Sequence, residues 1–600
     1  MCGILGAIGL RAVPTPQLAD RILDAIRHRG PDASGSTFVD GVWLASRRLK
    51  ILDLRDDANQ PMRDEATGVV LVFNGEIYNY IELREELAAR GRSFATTGDT
   101  EVLLNGYLEW GDDLFDRCDG MWAVAIHDPR RGGLLLSRDR FGEKPLFVGR
   151  DRDGAWWFGS EPHALRLAGA GTGRLNRRRT LNFLAFGDSE DPTDSFYEGI
   201  SQLPPGCSAL LTSNGLGELR RWFDLASLLG VGQGAPPADE EIQAAIDLSV
   251  RRRLRSDVAV GSSLSGGVDS STIVAAIRQS YRGDDLHVFT ASFPGTDVDE
   301  WLRANKVAER FGARAHAVEP TAAGFLEALP ALALHQGGPF DSPSVYAQWC
   351  VMRRAAEEGV VVLLDGQGAD ETWGGYRKYV WFAVASALRS QPRAAARVIR
   401  AWRAAEDLPR PDVEQIAALA LPPAGRRAAL TGLRARLRWA GSAFDDVSLG
   451  DPQGDGPRGS LLRRAAFADT RRVMLPRLLR YADRNSMAWS RELRLPFLDP
   501  AVVRLGWRAG WLRGFERGWT KERLRGVAAN RVPSEIAWRR AKTAYDIPDA
   551  AWLSTPVVEA AVGDAYAALR ADGLLAPGAL VPPWRALSLG AFIEHARLTP

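Results

Sequence analysis

Residues 264–271 read LSGGVDSS, a glycine-rich turn between an apolar run at 258–261 and a helical pattern at 272–280. Glycine lets the backbone close around an anion, and the free N–H groups at the start of a helix hold phosphate oxygens. Further apolar runs at 287–290 and 360–364 alternate with longer amphipathic stretches, as strands and helices do in a parallel α/β sheet. The pattern therefore predicts a phosphate-binding loop at the end of one strand of such a sheet.

The chemistry of this loop has two interpretations from the residues alone. One is an ordinary Gly/Ser turn that caps a helix, since the pattern GGxD is short. The other is a phosphate site, in which Ser265 and Ser270 add hydroxyl donors and Asp269 is placed to ligate Mg²⁺ between phosphates. The loop is not a Walker loop, because no GK[ST] follows the glycines.

The first third of the chain has a different pattern of short apolar runs separated by turns. The run 69–73 meets Asn-Gly at 74–75, a pair suited to positive φ, so we expect the strand to end there in a tight turn. Runs at 122–126 and 133–137 predict further buried strands, and the apolar stripe over 81–90 predicts a helix. This part of the chain is therefore predicted to have an α+β fold.

The length of 600 residues exceeds what one hydrophobic core usually organises, so at least two domains are expected. The composition shifts near residue 215, and 228–237 is rich in Gly and Pro, as linkers are. We predict a first domain at 1–215, a linker at 216–238 and a second domain at 239–600. The Ala-, Arg- and Pro-rich stretch 385–460 is interpreted as helical with loops.

Charge and cysteine usage exclude several classes of protein. The 76 basic and 74 acidic residues leave a formal net charge of +2, so neither nucleic acid nor an anionic membrane is expected as a partner. The four cysteines form no CxxC pair, which suits neither a disulfide framework nor a zinc site and fits a reducing cytoplasm. We find no signal peptide and no apolar run long enough for a membrane span, and we expect a cytoplasmic protein.

Cys2 is the first candidate for catalysis. Removal of the preceding methionine would leave a thiol and a free α-amine on one residue, and an amine that titrates near pH ~8 can act as the base for its own thiol. The alternative is an ordinary cysteine near a terminus. The sequence GILG at 3–6 favours the functional interpretation, because it starts a buried strand that would hold the terminus in place.

Other polar residues supply what a bound free amino acid requires. The side-chain amide of Asn74 and the backbone N–H of Gly75 could hold an oxyanion. Arg48 offers a planar fork for an α-carboxylate, and Glu76 and Asp99 could bind an α-ammonium. Singly, each is typical of a surface charge or a turn. Together with a nucleophile they predict an amino-acid site.

Several blocks in this region resemble the class II glutamine amidotransferase domain of asparagine synthetases, which has an N-terminal-nucleophile fold of sandwiched sheets. They are MCGILG at 1–6, HRGPD at 28–32, FNGEIYN at 73–79 and GDTE at 98–101. The residues that this resemblance assigns are the nucleophile Cys2, the oxyanion-hole residues Asn74 and Gly75, and the glutamine-binding residues Arg48, Asn74, Glu76 and Asp99.

The second half resembles the synthetase domain of the same family, an α/β ATP pyrophosphatase with many helices that splits ATP into AMP and pyrophosphate. The loop at 264–271, LLDGQGADE at 363–371, YADRNSMA at 481–488 and ELRLPFLD at 492–499 carry the likeness. By this resemblance Asp269 and Asp370 share Mg²⁺. The residues that it assigns to ATP and pyrophosphate are Leu264, Ser265, Gly266, Gly267, Asp269, Ser270, Ala291, Asp365, Gly366, Lys521 and Lys542.

Lys521 is singled out because the chain has only six lysines. A lone lysine at a helix start is usually solvated. In this order of motifs, we expect it to neutralise pyrophosphate as charge develops in the transition state. Lys542 is predicted as a second such cation.

Position 367 departs from the family pattern, because Gln367 stands where the best-known asparagine synthetases carry glutamate. An amide cannot take a proton at neutral pH, so Gln367 is excluded as a general base, although it could hydrogen-bond the adenylate or a carboxylate. The stretch KTAY at 542–545 differs as well. Both departures concern the acceptor side, so aspartate is the default acceptor and another acid stays open.

The predicted function is amidation of a carboxylate with ammonia from glutamine, driven by ATP through an acyl-adenylate. The expected ligands are glutamine, ATP, Mg²⁺ and the acceptor, and the resemblance allows a homodimer. One alternative is an ammonia-independent cyclase such as a β-lactam synthetase or lasso-peptide cyclase, against which the complete glutamine set argues. A non-catalytic relative is the other, against which Asp269, Asp370 and Lys521 argue.

Overall fold

The computed structural model of the chain describes residues 2–187, 193–230, 235–281, 283, 285–404, 460–540 and 546–598. Within the stretch predicted to be helical at 385–460, the described residues 385–404 are almost entirely helical. Residues 405–459 of that stretch and Lys542 lie outside the described residues.

Two antiparallel sheets form the first unit and pack face to face around Ile4, Leu44, Val72 and Leu136. This confirms the predicted α+β fold of sandwiched sheets. The sheets have the strand orders β10-β8-β9-β1-β3-β2 and β12-β11-β7-β6-β5-β4, with β13 paired to β11, and the strands are β1 (Cys2–Ile8), β2 (Ala33–Val39), β3 (Val42–Arg48), β4 (Met62–Arg63), β5 (Val70–Ile77), β6 (Gly120–Asp128), β7 (Gly133–Arg138), β8 (Phe147–Arg150), β9 (Trp156–Gly159), β10 (Ile200–Gln202), β11 (Cys207–Thr212), β12 (Gly215–Leu216) and β13 (Arg220–Arg221).

Helices cover the outer faces of this sandwich. The helix predicted at 81–90 is present as α2, and its Leu83 packs with Leu103, Phe73 and Trp122 over the second sheet. The helices of this unit are α1 (Pro16–Asp24), α2 (Tyr80–Ala89), α3 (Asp99–Trp110), α4 (Leu114–Arg117), α5 (Pro162–Leu167), α6 (Arg177–Phe186) and α7 (Leu225–Gly230).

The prediction that the strand ends in a turn at Asn74-Gly75 is wrong. Strand β5 continues through both residues to Ile77 and pairs with β6 along its whole length, and Gly75 does not have a positive φ. Glycine is needed there for a different reason, because a Cβ at Gly75 would collide with the backbone carbonyl of Met121. The pair marks a close approach of two strands, and strand pairing overrides the local turn preference.

The second unit is built on a five-stranded sheet in which every neighbouring pair is parallel, as predicted. The phosphate-loop candidate follows the central strand, as expected. The sheet has the order β16-β15-β14-β17-β18, with β14 (Val260–Ser263), β15 (His287–Ala291), β16 (Arg314–Val318), β17 (Val362–Leu364) and β18 (Glu492–Arg494).

Many helices surround this sheet. The helix after the loop begins at Val268, four residues earlier than the helical pattern indicated. The helices are α8 (Asp239–Arg253), α9 (Val268–Ser280), α10 (Trp301–Arg310), α11 (Ala322–Gln336), α12 (Ser344–Glu357), α13 (Ala369–Trp373), α14 (Lys378–Ser390), α15 (Pro392–Ala404), α16 (Leu461–Arg471), α17 (Met474–Ala488), α18 (Pro500–Arg508), α19 (Trp511–Glu516), α20 (Glu522–Ala528), α21 (Ser534–Ala537), α22 (Asp549–Leu553), α23 (Pro556–Ala571) and α24 (Pro583–Leu598).

The division of the chain stays a prediction. Between the two units, β13 still belongs to the second antiparallel sheet and α7 follows it, within the range 216–238 that the sequence predicts as linker. Across the described ranges, no helix combines the length and apolar character that a membrane crossing requires.

Candidate active sites

Cys2 is held at the start of β1 by the neighbouring strand β3, where it pairs with Arg48. Its side chain is buried, and its backbone N–H donates to Oδ1 of Asn74 at 3.1 Å. Burial raises the pKa of the Cys2 thiol. Because burial disfavours the thiolate, a nearby base would help this thiol to act as a nucleophile.

Asn74 presents an open hydrogen-bond donor beside Cys2. The residue is fully buried, and its Oδ1 is occupied by Cys2. Its Nδ2 has no partner among the described residues. Leaving a buried donor unpaired costs roughly 1–3 kcal/mol. An oxygen atom of a bound ligand would remove this cost by accepting the hydrogen bond.

Two buried carboxyl groups belong to the same region: Glu76 lies on β5 two residues after Asn74, and Oδ2 of Asp99 accepts the backbone N–H of Ile77 at 2.9 Å. Burial raises the pKa of Asp99 to about 6. Burial first, and then the charge of Asp99, raise the pKa of Glu76 well above its usual range. Oε1 of Glu76 has no partner in the part of the chain that the structure describes. Because carboxyl groups so placed gain from a nearby positive charge, the pair can bind an ammonium group.

Arg48 is buried next to Cys2, but its guanidinium already donates to a loop. It contacts the carbonyls of Leu52 and Asp53 at 3.0 and 2.5 Å, the carbonyl of Arg55 at 2.9 Å and Oδ1 of Asn59 at 2.9 Å. These bonds fix the loop that borders the site. Recognition of an α-carboxylate by Arg48 stays a prediction.

The glycine-rich loop after β14 is already closed on itself. The hydroxyl oxygens of Ser265 and Ser270 lie 3.1 Å apart, and the N–H of Gly267 donates to Oγ of Ser265 at 3.2 Å. Gly266 has a φ of +66°, and a Cβ there would press against the backbone of α10. The loop therefore holds its hydroxyl groups at the start of α9, where phosphate oxygens bind.

Lys521 joins two carboxylates at this loop. Its Nζ lies 2.5 Å from Oδ2 of Asp269 and 2.7 Å from Oδ1 of Asp370. Burial acts to lower the pKa of Lys521, but the two carboxylates outweigh burial and raise it. The residue also has a φ of +52°, and unusual backbone conformations of this kind cluster at functional sites. Asp269 and Asp370 meet at the ammonium group of Lys521, and their carboxylate oxygens are of the hard type that Mg²⁺ prefers.

These groups border a cavity of about 290 Å³. Leu264, Gly266 and Ala291 do not line it: Leu264 follows the last residue of β14, Ala291 is the last residue of β15, and Gly266 is a loop residue that packs against α10. The predicted nucleotide-site residues that line the cavity are Ser265, Gly267, Asp269, Ser270, Asp365, Gly366, Gln367, Asp370 and Lys521.

Two family models match the chain. Residues 1–223 match a glutamine amidotransferase domain, and residues 241–589 match asparagine synthase. The chain belongs to the glutamine-hydrolysing asparagine synthetase family. The second match also implies that the asparagine synthase domain uses ATP.

Curated relatives agree with this family. A provisionally named asparagine synthetase (glutamine-hydrolysing) of Mycobacterium bovis is 32% identical over 92% of this chain and 88% of its own. Asparagine synthetase (glutamine-hydrolysing) 3 of Bacillus subtilis is 28% identical over 90% of this chain and 86% of its own. Among solved structures, glutamine phosphoribosylpyrophosphate amidotransferase from B. subtilis shares 16% identity over 53% of this chain and 82% of its own, with a TM-score of 0.29 that is too low to support an inference.

Several residues that line the cavity were not predicted from the sequence. Arg525 lines it one helical turn after Lys521, and this i, i+4 spacing is a signal that could have been used. Gln348 and Ser344 reach the cavity from α12, and Arg539 from a segment after α21. No local motif marks these positions, because packing of distant helices brings them there.

Arg494, at the end of β18, connects the two sites of this asparagine synthetase family member. Its Nη2 lies 3.2 Å from Oε2 of Glu76, and its Nε donates to Glu492 at 2.6 Å. Its backbone carbonyl accepts the N–H of Asp365 at 3.0 Å. One residue therefore contacts the predicted ammonium-binding group and the nucleotide-side loop.

A second buried network crosses the interface between the two units. Arg29 donates to Asp483 at 2.9 Å and to Glu161 at 3.0 Å, while Arg484 lies 2.9 Å from Glu161. All four residues are buried. Although burial acts to raise the pKa of Asp483, the adjacent cations, Arg29 foremost, lower it. The network therefore fixes ionised groups of both units against each other.

Proposed function

We propose that this chain makes an amide from a carboxylate, ATP and glutamine. The observation that carries the proposal is that one chain holds both required sites. A buried thiol lies beside the open donor of Asn74, and a phosphate cavity has Asp269 and Asp370 converging on a lysine. The first arrangement suits hydrolysis of an amide, and the second suits stabilisation of pyrophosphate as it leaves.

In the first site, the α-amine that methionine removal exposes takes the proton of the Cys2 thiol. The sulfur then attacks the side-chain amide carbon of glutamine, whose oxygen is held by Nδ2 of Asn74 as it gains charge. Glu76 and Asp99 bind the α-ammonium group and orient the substrate. Ammonia leaves, and water hydrolyses the thioester to release glutamate.

In the second site, the loop 265–270 and Lys521 bind the phosphates of ATP. Asp269 and Asp370 would hold Mg²⁺, which supplies further positive charge to the phosphates. An oxygen of the acceptor carboxylate attacks the α-phosphorus, and pyrophosphate leaves with its charge neutralised by Lys521. Ammonia then displaces AMP from the acyl-adenylate. We propose that the ammonia passes between the two sites inside the protein, where it is protected from protonation.

Aspartate is the default acceptor, and asparagine is then the product. The amide at Gln367 favours a second candidate, the same chemistry on another acid, because this side chain lines the cavity and cannot act as a base there. The two candidates share every step except recognition of the acceptor.

The test measures acid-dependent pyrophosphate release with a panel of acids that includes aspartate, followed by mass spectrometry of the product. Glutamine and ammonium chloride are compared as nitrogen sources in the intact chain and in Cys2→Ala. We expect Cys2→Ala to lose amide formation from glutamine and to keep it from ammonium chloride. Unchanged product formation from glutamine would contradict the glutaminase half and favour a cyclase. Absence of acid-dependent turnover of ATP to AMP would contradict the synthetase half.

A further inference from the structure

Three buried side-chain amides form a hydrogen-bonded row that reaches the nucleotide cavity. Nε2 of Gln336 donates to Oδ1 of Asn485 at 2.8 Å, and Nδ2 of Asn485 donates to Oε1 of Gln348 at 2.9 Å. The three residues are at most 4% exposed. Gln348 lines the cavity beside Ser265, Gln367 and the other nucleotide-side residues.

A backbone carbonyl determines which way each of these three side-chain amides is oriented. Nδ2 of Asn485 also donates to the carbonyl of Val345 at 3.0 Å. A carbonyl can only accept, so the nitrogen of Asn485 must lie on that side, although amide oxygens and nitrogens are otherwise assigned by inference. The second hydrogen of Asn485 must then meet an oxygen of Gln348, which leaves the nitrogen of Gln348 as its unused end.

That nitrogen is a donor without a partner. Nε2 of Gln348 is buried and bonds to no other group in the described ranges. A buried donor left unpaired is unfavourable, yet Asn485 holds the amide in this orientation. Since Gln348 lines the cavity, a ligand oxygen there could satisfy the donor.

We propose that Nε2 of Gln348 is a catalytic hydrogen-bond donor to the acyl oxygen of the adenylate, an inference that rests on the proposed function. The nitrogen of ammonia forms a C–N bond to the acyl carbon, and the π electron pair of the carbonyl moves to the oxygen. A lone pair of that oxygen then re-forms the C=O bond while the bond from the carbon to the bridging oxygen of AMP breaks, and the electron pair of the broken bond leaves with AMP. A proton passes from the added nitrogen to a phosphate oxygen of AMP.

The donor matters most in the step that adds ammonia. The acyl oxygen becomes fully charged only there, and an oriented donor stabilises that charge more than it stabilises the carbonyl before attack. Lys521 and the loop 265–270 act at the phosphates instead. Gln348 therefore belongs to the second half-reaction, whereas adenylate formation depends on the phosphate-side groups.

The experiment separates these two half-reactions in the intact chain. Adenylate formation is measured as exchange of pyrophosphate into ATP, with the panel acid that gives the fastest pyrophosphate release. Amide formation is measured with ammonium chloride, which bypasses the glutaminase site. We expect Gln348→Met to lower amide turnover about a hundredfold, since removal of one oxyanion donor typically costs 10²–10³ in rate, while exchange stays within about threefold.

Gln336→Met is the matched control. It removes another buried amide of the same hydrogen-bonded row and leaves the donor of Gln348 in place. It is expected to keep both rates within about threefold. Glutaminase activity reports folding of each variant. If Gln348→Met lacks that activity, Gln348→Asn replaces it. This variant keeps the amide but withdraws it by one methylene, and a selective loss of about tenfold in amide turnover is expected.

Equal losses of exchange and amide formation would overturn the proposal, as would a loss in Gln336→Met as large as that in Gln348→Met. Unchanged amide turnover in Gln348→Met would also overturn it and leave the proposed function standing. If the unaltered chain releases no pyrophosphate with any acid of the panel, the proposed function fails and this inference fails with it.

Discussion

The two candidate sites differ in how their polar groups are satisfied. At the Cys2 site, a donor of Asn74 and an oxygen of Glu76 stay without partners in the described structure. At the phosphate cavity, Lys521 lies between Asp269 and Asp370 and pairs with both. The first site therefore offers an open donor and an open acceptor to a ligand. The second is held by an internal ion pair, which any bound phosphate group would have to rearrange.

The sites also differ in how the chain builds them. Strand register places Cys2 against Arg48, and every candidate of the first site falls between Cys2 and Asp99. The cavity gathers residues from Ser263 to Arg539, on loops at the ends of parallel strands and on separate helices. Because the two sites use different residues, a substitution in one site is expected to affect one activity and not the other.

The largest effect is expected from Lys521→Met. Under the proposed function, loss of the lysine removes the cation that neutralises pyrophosphate and leaves two half-buried carboxylates without their shared cation. Acid-dependent pyrophosphate release should therefore fall about a thousandfold. Glutaminase activity should change less than threefold. Lys306→Met, an exposed lysine on α10, is the control. A parallel loss of both activities would show that the two sites are not independent.

A smaller effect, of about a hundredfold on kcat/KM for glutamine, is expected from Asp99→Asn. The pKa of Asp99 is raised to about 6 by burial, so below that pH the carboxyl is neutral and attracts an ammonium group less. The unaltered chain should therefore lose glutaminase kcat/KM as pH falls through about 6. Steady-state glutaminase kinetics between pH 5 and 8 measure this limb. Persistence of the same limb in Asp99→Asn would assign it to another group.

The smallest effect is expected from Arg494→Lys, which keeps the positive charge but loses the fork that contacts Glu76 and Glu492. KM for glutamine should rise about tenfold. Because the backbone of residue 494 still accepts the N–H of Asp365, pyrophosphate release driven by ammonium chloride should stay within about threefold. Steady-state kinetics with each nitrogen source decide the outcome. A larger loss with ammonium chloride than with glutamine would place Arg494 in the synthetase site instead.

The fold could be predicted from local patterns of the sequence. Apolar runs indicated β5, β6 and β7 of the antiparallel sheets and β14, β15 and β17 of the parallel sheet, and the pattern around 264–271 indicated the strand, loop and helix that the structure has there. The turn predicted from the Asn-Gly pair at 74–75 is absent, because pairing with β6 keeps these two residues in an extended strand despite their local preference for a turn. Local preference is a weak guide when long-range pairing competes with it.

The candidate sites were predictable only in part. Residues near motifs, such as Asn74 and Asp370, could be named from the sequence. Gln348 and Arg494 could not be assigned a role, because their orientations depend on hydrogen bonds to groups far along the chain. The positive φ of Lys521 has no local signal either, since lysine is not a residue that favours it.

The buried network of Arg29, Asp483, Glu161 and Arg484 bears on how this architecture can be taken apart. Each carboxylate is neutralised by an arginine supplied at least in part from the opposite half. Expressed alone, the first half would keep the pair between Arg29 and Glu161, whereas in the second half Asp483 would lose Arg29 and Arg484 would lose Glu161. Neither half can therefore be exchanged freely. A chimera that joins one half to a different partner domain must also carry the residues that complete this buried network.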